Sequence, residues 1–231
     1  PHIYRGRDGA FYMAMTDLHV FAQRDGYRET QWERDGKYGW GNNRGLVLMK
    51  SWDLINWKRT NICFDQMSAG LSEIGCAWAP EITFDEKKGK LMIYFTMRFR
   101  NEPNKLYYVY VNDEFDTIET LPRTLFEYPN EKVSAIDGDI TKIGDQYHLF
   151  YVAHDGEAGI KHAVSNIANG DYTFDPRWYD LEPKACEAPN VWKRIGEDKW
   201  VLMYDVYSVN PHNFAFIETS DFVNFKNLGR F

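Results

Sequence analysis

The sequence predicts an all-β protein, a five-bladed β-propeller of which about four blades are present in this chain. Short segments rich in aromatic and β-branched residues, bounded by Gly, Asp and Asn, recur along the chain, whereas helical periodicity is hard to find. One hairpin pattern also occurs four times. Repeating units of about 50 residues with four antiparallel strands are typical of propeller blades.

The repeated hairpin is a strand, a charged turn containing glycine, and a second strand dense in aromatic residues. Its copies are IYRGRDGAFYMAMTD from Ile3, ITFDEKKGKLMIYFTM from Ile82, ITKIGDQYHLFYVAHD from Ile140 and VWKRIGEDKWVLMYDV from Val191. A second strand-turn-strand element follows each copy and completes a four-stranded unit. We therefore expect a single domain over residues 1–231, with blades at approximately 1–75, 76–132, 133–184 and 185–231. Both ends are expected to be cuts in a longer protein.

The first unit is longer than the others because of an insertion at residues 19–44. This insertion is polar and rich in glycine, yet it contains Trp32, Tyr38 and Trp40. It is either a solvated extension of a hairpin or a rim loop whose rings stack on a sugar. Under the second interpretation, these three side chains are candidate substrate-binding residues.

Composition excludes several classes of partner. The net charge is -7, and the Lys and Arg residues are scattered along the chain, so a nucleic-acid partner is not expected. No apolar run reaches the roughly 20 residues that a membrane-spanning helix needs, so no membrane span is predicted. Three cysteines at irregular spacing provide neither a disulfide framework nor a metal motif.

Two acids stand at equivalent entrances of neighbouring predicted blades. Aligning the copies places Asp137 (in AIDGDI) and Glu187 (in CEAPNVW) just before the first strands of the third and fourth blades, and Trp78 at the same entrance of the second. First strands of propeller blades line the central channel, so these side chains should meet on one face. Either each acid caps its strand through backbone N–H groups, or the pair performs acid–base chemistry on a glycosidic bond.

The motifs WAPEITF at 78–84, AIDGDI at 135–140 and CEAPNVWK at 186–193, with SWDLINW at 51–57, resemble glycoside hydrolase family 43. The resemblance covers the whole chain. It implies a five-bladed propeller that hydrolyses arabinofuranosides or xylosides with inversion, or that cuts arabinan internally. It also implies that some members hold a calcium ion in the channel, whereas no cofactor is required and no metal ligand is predicted here.

Carried over onto this sequence, the resemblance makes Glu187 the general acid and Asp137 the residue that raises the pKa of that acid and orients it. An ionised Asp137 beside a buried Glu187 would favour the protonated form of the glutamic acid. The family's general base falls on the position just before Pro1, which this chain does not contain. Trp78 is expected near the sugar, while Glu81 and Asp139 are expected to have structural, hydrogen-bonding roles.

We therefore predict an enzyme that removes terminal α-L-arabinofuranosyl or β-D-xylosyl residues from plant polysaccharides or oligosaccharides. A secreted or periplasmic location is expected, with the cytoplasm as the alternative. The main rival interpretation is a propeller that binds glycans without cleaving them, and an endo-acting arabinanase is a second alternative. A phosphorylase is a third, in which Arg98 and Arg100 would bind phosphate.

Overall fold

The computed structural model describes residues 1–18, 43–182 and 185–231. The predicted sugar-stacking residues Trp32, Tyr38 and Trp40 lie outside these ranges. The chain divides into two compact units, residues 1–125 and 126–231. Within the described ranges, no helix is long and apolar enough to cross a membrane.

The first unit consists mainly of two four-stranded antiparallel sheets, each with its strands in chain order. The strands of the first sheet are β1 (His2–Arg5), β2 (Phe11–Thr16), β3 (Gly45–Ser51) and β4 (Trp57–Cys63). Two short 3-10 turns, Phe64–Gln66 and Ala69–Leu71, lead to the second sheet. The strands of that sheet are β5 (Ile74–Asp85), β6 (Lys90–Phe99), β7 (Lys105–Tyr110) and β8 (Arg123–Phe126).

The second unit contains two further antiparallel sheets of the same kind. The strands of the third sheet are β9 (Ala135–Ile143), β10 (Gln146–Ala153), β11 (Gly159–Ser165) and β12 (Thr173–Asp175). The strands of the fourth are β13 (Glu187–Lys193), β14 (Trp200–Val206), β15 (Asn213–Thr219) and β16 (Lys226–Arg230). Three of the four sheets lie within one predicted blade each, and the second sheet begins at Ile74, two residues before the predicted boundary, while the division into blades and the single domain stay predictions.

The repeated hairpin has one physical signature in all four sheets. The turn between the first and second strand contains a glycine in the left-handed region, and space is open where a side chain would stand. These glycines are Gly9, Gly89, Gly144 and Gly196, with φ between 59° and 88°. The turn glycines used to align the copies are thus equivalent in the structure.

Each unit has its own apolar core, which follows from the alternation of side chains along the strands. In the first unit, Phe64 stacks on Phe95 with ring centroids 5.0 Å apart, among buried residues of β2, β3, β5 and β6. In the second unit, Phe150, Tyr204 and Ile217 are fully buried members of the core. The strands that carry the candidate site residues are anchored in these cores.

Candidate active site

The three described blade entrances share a β-bulge with the same backbone conformation. Ala79, Asp137 and Ala188 are all in the left-handed region, with φ of 44°, 51° and 52°. The strand register shifts at each of these places, between Trp78 and Glu81, between Ile136 and Asp139, and between Glu187 and Asn190. The alignment of the entrances made from sequence is therefore correct: Trp78 and Glu187 occupy the same position, directly before the bulge.

Asp137 and Glu187 are brought together within the second unit. The Asp137 carboxylate accepts a hydrogen bond from the backbone N–H of Ala188, the residue after Glu187, and it interacts electrostatically with Glu187. Both side chains are partly buried. The structure thus places the two acids as neighbours on adjacent blades, while their catalytic roles stay a prediction.

Burial makes the protonated form favourable for both acids. Burial raises the pKa of Asp137 to about 7, the charge of Glu187 adds to the rise, and the Ala188 N–H opposes it. Burial also raises the pKa of Glu187. The sequence interpretation kept Asp137 ionised near neutral pH, whereas a pKa of about 7 leaves this carboxyl group partly protonated there.

Asp205 is a third acid at this site, which the sequence interpretation missed. It stands opposite Glu187 in the β13–β14 register, so both side chains project from the same face of the sheet. Its charge contributes to the raised pKa of Glu187, after burial. The signal in the sequence was an acid in YDV at 204–206, the end of an apolar strand, but its place became visible only with the strand register.

Asp139 and Glu81 have the structural roles expected of them. Asp139 accepts a hydrogen bond from the backbone N–H of Val191 on the next blade. Glu81 accepts one from the Tyr94 hydroxyl at 2.8 Å. These acids hold strands together rather than presenting a proton to a ligand.

Trp78 lies in the first unit and is partly buried. The guanidinium of Arg98 lies 5.0 Å from the centroid of its ring, in a cation–π arrangement. Arg100 forms an ion pair with Glu73 at 3.1 Å. Because both arginines are engaged in this way, nothing in their arrangement favours the phosphate site that a phosphorylase would need.

The described ranges contain no group of three or more His, Cys, Asp or Glu residues arranged to hold a metal ion. The calcium ion that the family resemblance allows in the channel therefore stays a prediction. The second unit contains a histidine pair in which His162 is buried and His148 is partly buried; His148 Nδ1 lies 3.0 Å from His162 Nε2 and the rings are stacked. This contact gives both histidines a role in packing and hydrogen bonding.

The four-stranded antiparallel blades define the class of a β-propeller, and comparison with known proteins gives the family. A family model described as a probable glycosyl hydrolase domain, related to family 43, matches residues 1–229. The chain belongs to this family. The predicted fold class and the resemblance to family 43 are both confirmed.

The chain is similar to an α-L-arabinofuranosidase of Bifidobacterium longum subsp. longum, with 24% identity over 229 residues. The match covers 87% of this chain but only 19% of the length of that relative.

Solved structures with the same fold include three carbohydrate-active proteins. An α-L-arabinofuranosidase from Lactobacillus brevis superposes with a TM-score of 0.63 at 16% identity, covering 98% of this chain and 71% of its own. An arabinanase from Bacillus subtilis superposes with a TM-score of 0.63 at 17% identity, and the match covers 97% of this chain and 72% of the arabinanase chain. An exo-β-1,3-galactanase from Clostridium thermocellum superposes with a TM-score of 0.69 at 12% identity, and the match covers 99% of this chain and 47% of the galactanase chain. At these identities the likeness concerns the fold, so the substrate is left open.

Proposed function

We propose that the protein containing this chain hydrolyses terminal α-L-arabinofuranosyl or β-D-xylosyl residues with inversion of configuration. The observation that carries the proposal is the neighbouring pair Asp137 and Glu187, in which burial raises the pKa of both carboxyl groups and so favours their protonated forms. A retained proton is what a glycosidic oxygen needs as it leaves.

In this mechanism, Glu187 donates its proton to the glycosidic oxygen while a base removes a proton from a water on the opposite face of the sugar. Inversion requires the two carboxyl groups to be roughly 6.5–9.5 Å apart to admit that water. The family places the base just before Pro1, and we expect an aspartate there in the full-length protein. Asp137, hydrogen-bonded to the Ala188 N–H, keeps the segment of Glu187 in place. Burial and the charge of Asp205 raise the pKa of Glu187 and so disfavour its ionisation.

An arabinofuranoside is the favoured substrate because the curated relative and one structural neighbour are named arabinofuranosidases and a second neighbour is named an arabinanase. The third neighbour is named a galactanase. The test is therefore a panel of aryl α-L-arabinofuranoside, β-D-xyloside and β-D-galactoside with the full-length protein. NMR of the first-formed anomer decides whether configuration is inverted. Because its substrates would be plant polymers, we also propose that the protein acts outside the cytoplasm.

Two variants test the site itself. Glu187→Ala and Asp137→Asn should each lose most of the activity on oligosaccharides of whichever sugar is cleaved in the panel. Asp198→Asn is a matched control, because Asp198 is exposed and pairs with Lys193 at 2.9 Å. Full activity of both site variants would show that the assignment is wrong.

The competing function is glycan binding without cleavage. It is favoured by an exposed tryptophan in a cavity of the second unit, at Trp178. If the wild-type protein binds oligosaccharides of the panel sugars but releases no product from any of them, the enzyme proposal fails and this alternative stands.

A further inference from the structure

A cavity of about 400 Å³ lies in the second unit, where the β10–β11 loop meets the segment between β12 and β13. This volume is within the range of small-ligand sites. We call it the Trp178 pocket, and its lining residues are Asp155, Glu157, Ala158, Gly159, Trp178, Asp180 and Glu182. The sequence interpretation assigned it no function.

The pocket has an aromatic surface that the backbone holds in place. The Trp178 indole is 45% exposed, and the Lys161 ammonium lies 3.7 Å from its ring centroid. A Cβ at Gly159 would stand 2.8 Å from ring atom Cζ3 and 2.8 Å from Asp180 Oδ2, so only glycine lets the ring and this carboxylate lie this close to the strand. Gly159 is not in the left-handed region, so its backbone conformation does not itself require glycine. Admitting the ring is therefore the role we infer for Gly159.

The rim of the pocket consists of hydrogen-bond acceptors. Asp180 accepts from the Ile160 N–H at 2.8 Å, and Asp155 accepts from the Tyr128 hydroxyl at 2.8 Å. Each carboxylate has about four acceptor positions, so these contacts leave capacity for ligand hydroxyl groups. Negative rim charge disfavours anionic ligands, whereas an aromatic face beside acceptors suits the C–H surface and hydroxyls of a neutral sugar.

The pocket adjoins the proposed acid. The backbone N–H of Cys186, the residue before Glu187, donates to the carbonyl of Ala158 in the pocket wall at 3.0 Å. Tyr207 interacts electrostatically with both Glu187 and Glu157, so it lies near the acid and near the pocket rim. A chain of sugars held at Glu187 would therefore reach the Trp178 pocket with a neighbouring unit.

We propose that the Trp178 pocket is a subsite for a neutral sugar unit next to the one whose bond is cleaved. This inference rests on the proposed function. It predicts that oligosaccharides gain affinity from the pocket, whereas aryl glycosides of a single sugar do not occupy it.

The test compares the two kinds of substrate in the full-length protein. Trp178→Ala should raise the KM for a neutral tri- or tetrasaccharide about tenfold, as expected for loss of one stacking contact, and leave kcat and aryl-glycoside kinetics unchanged. Trp178→Phe should retain most of the affinity. Trp192→Ala, at another partly exposed tryptophan of the same unit, is the matched control and should leave KM and kcat unchanged for both kinds of substrate.

Gly159→Ala provides a second route that keeps the indole but displaces it, and it should reproduce the oligosaccharide defect. Calorimetry with the same oligosaccharide separates this inference from the proposed function, because binding can be measured even if no substrate is cleaved. If both Trp178→Ala and Gly159→Ala bind the oligosaccharide as tightly as the wild type does, the subsite proposal is wrong. Tighter wild-type binding of a uronic-acid oligosaccharide than of its neutral counterpart would also overturn it.

Discussion

Replacing Asp137 with asparagine tests how the two neighbouring acids share a proton. In the structure the pKa of Asp137 rises from 3.8 to about 7, a difference of about 3 units, with burial as the larger cause and Glu187 as the second. Coupling between two ionised groups is mutual, so an ionised Asp137 disfavours ionisation of Glu187 by the same free energy. Asparagine keeps the shape but removes this repulsion, so Glu187 loses its proton more readily.

The assay is the pH dependence of kcat/KM, whose alkaline limb reports the acid in the free enzyme. We expect this limb to move toward lower pH in Asp137→Asn, because a charge that opposes ionisation of Glu187 is removed. Asp198→Asn, an equal change at an exposed ion pair, should leave the limb in place. An alkaline limb at the wild-type position in Asp137→Asn would refute the reasoning.

Three further predictions concern single residues. Glu187→Gln should slow cleavage of oligosaccharides by about 10²–10⁴-fold but spare aryl glycosides with acidic leaving groups, since these need no proton; equal losses in steady-state kinetics would contradict the acid role. Ala188→Gly should raise the melting temperature with activity retained, because Ala188 is left-handed at φ 52°, and a lower melting temperature would argue against strain there. Burial and the charge of His148 lower the pKa of His162 from 6.5 to about 3 in the folded protein. Between the unfolded pKa of about 6.5 and this folded pKa, each pH unit of acidification should lower the free energy of unfolding by roughly 1.4 kcal/mol. In urea unfolding measured at several pH values, His162→Gln should weaken the dependence of the unfolding free energy on pH. The same pH dependence in variant and wild type would contradict this.

The blade architecture could be predicted because its signals are local. Gly9, Gly89, Gly144 and Gly196 mark turns that require a positive φ, and such turns leave a trace in the sequence wherever they recur. The equivalence of the Trp78 and Glu187 entrances could likewise be found by alignment, because an Ala-Pro pair follows each residue.

The missed features depend on contacts between segments distant in sequence. Asp205 became a site residue through the pairing of β13 with β14, in which a bulge shifts the register that simple counting would give. The Trp178 pocket exists because Trp178 lies on Gly159, a residue 19 positions earlier. A glycine in a strand does not indicate from the sequence which ring packs against it. The raised pKa of Asp137 arises from burial, which the motif AIDGDI does not encode.

The shared bulge at Ala79, Asp137 and Ala188 has a consequence for how this domain could change its chemistry. Since the backbone takes the same conformation whether tryptophan, isoleucine or glutamate precedes the bulge, the side chain there can be exchanged without rebuilding the strand. Because the bulge fixes the direction of the side chain, the proposed stacking residue Trp78 and the proposed proton donor Glu187 occupy equivalent positions and differ only in the residue present. Duplicated blades would let one copy explore a new role while another keeps the old one.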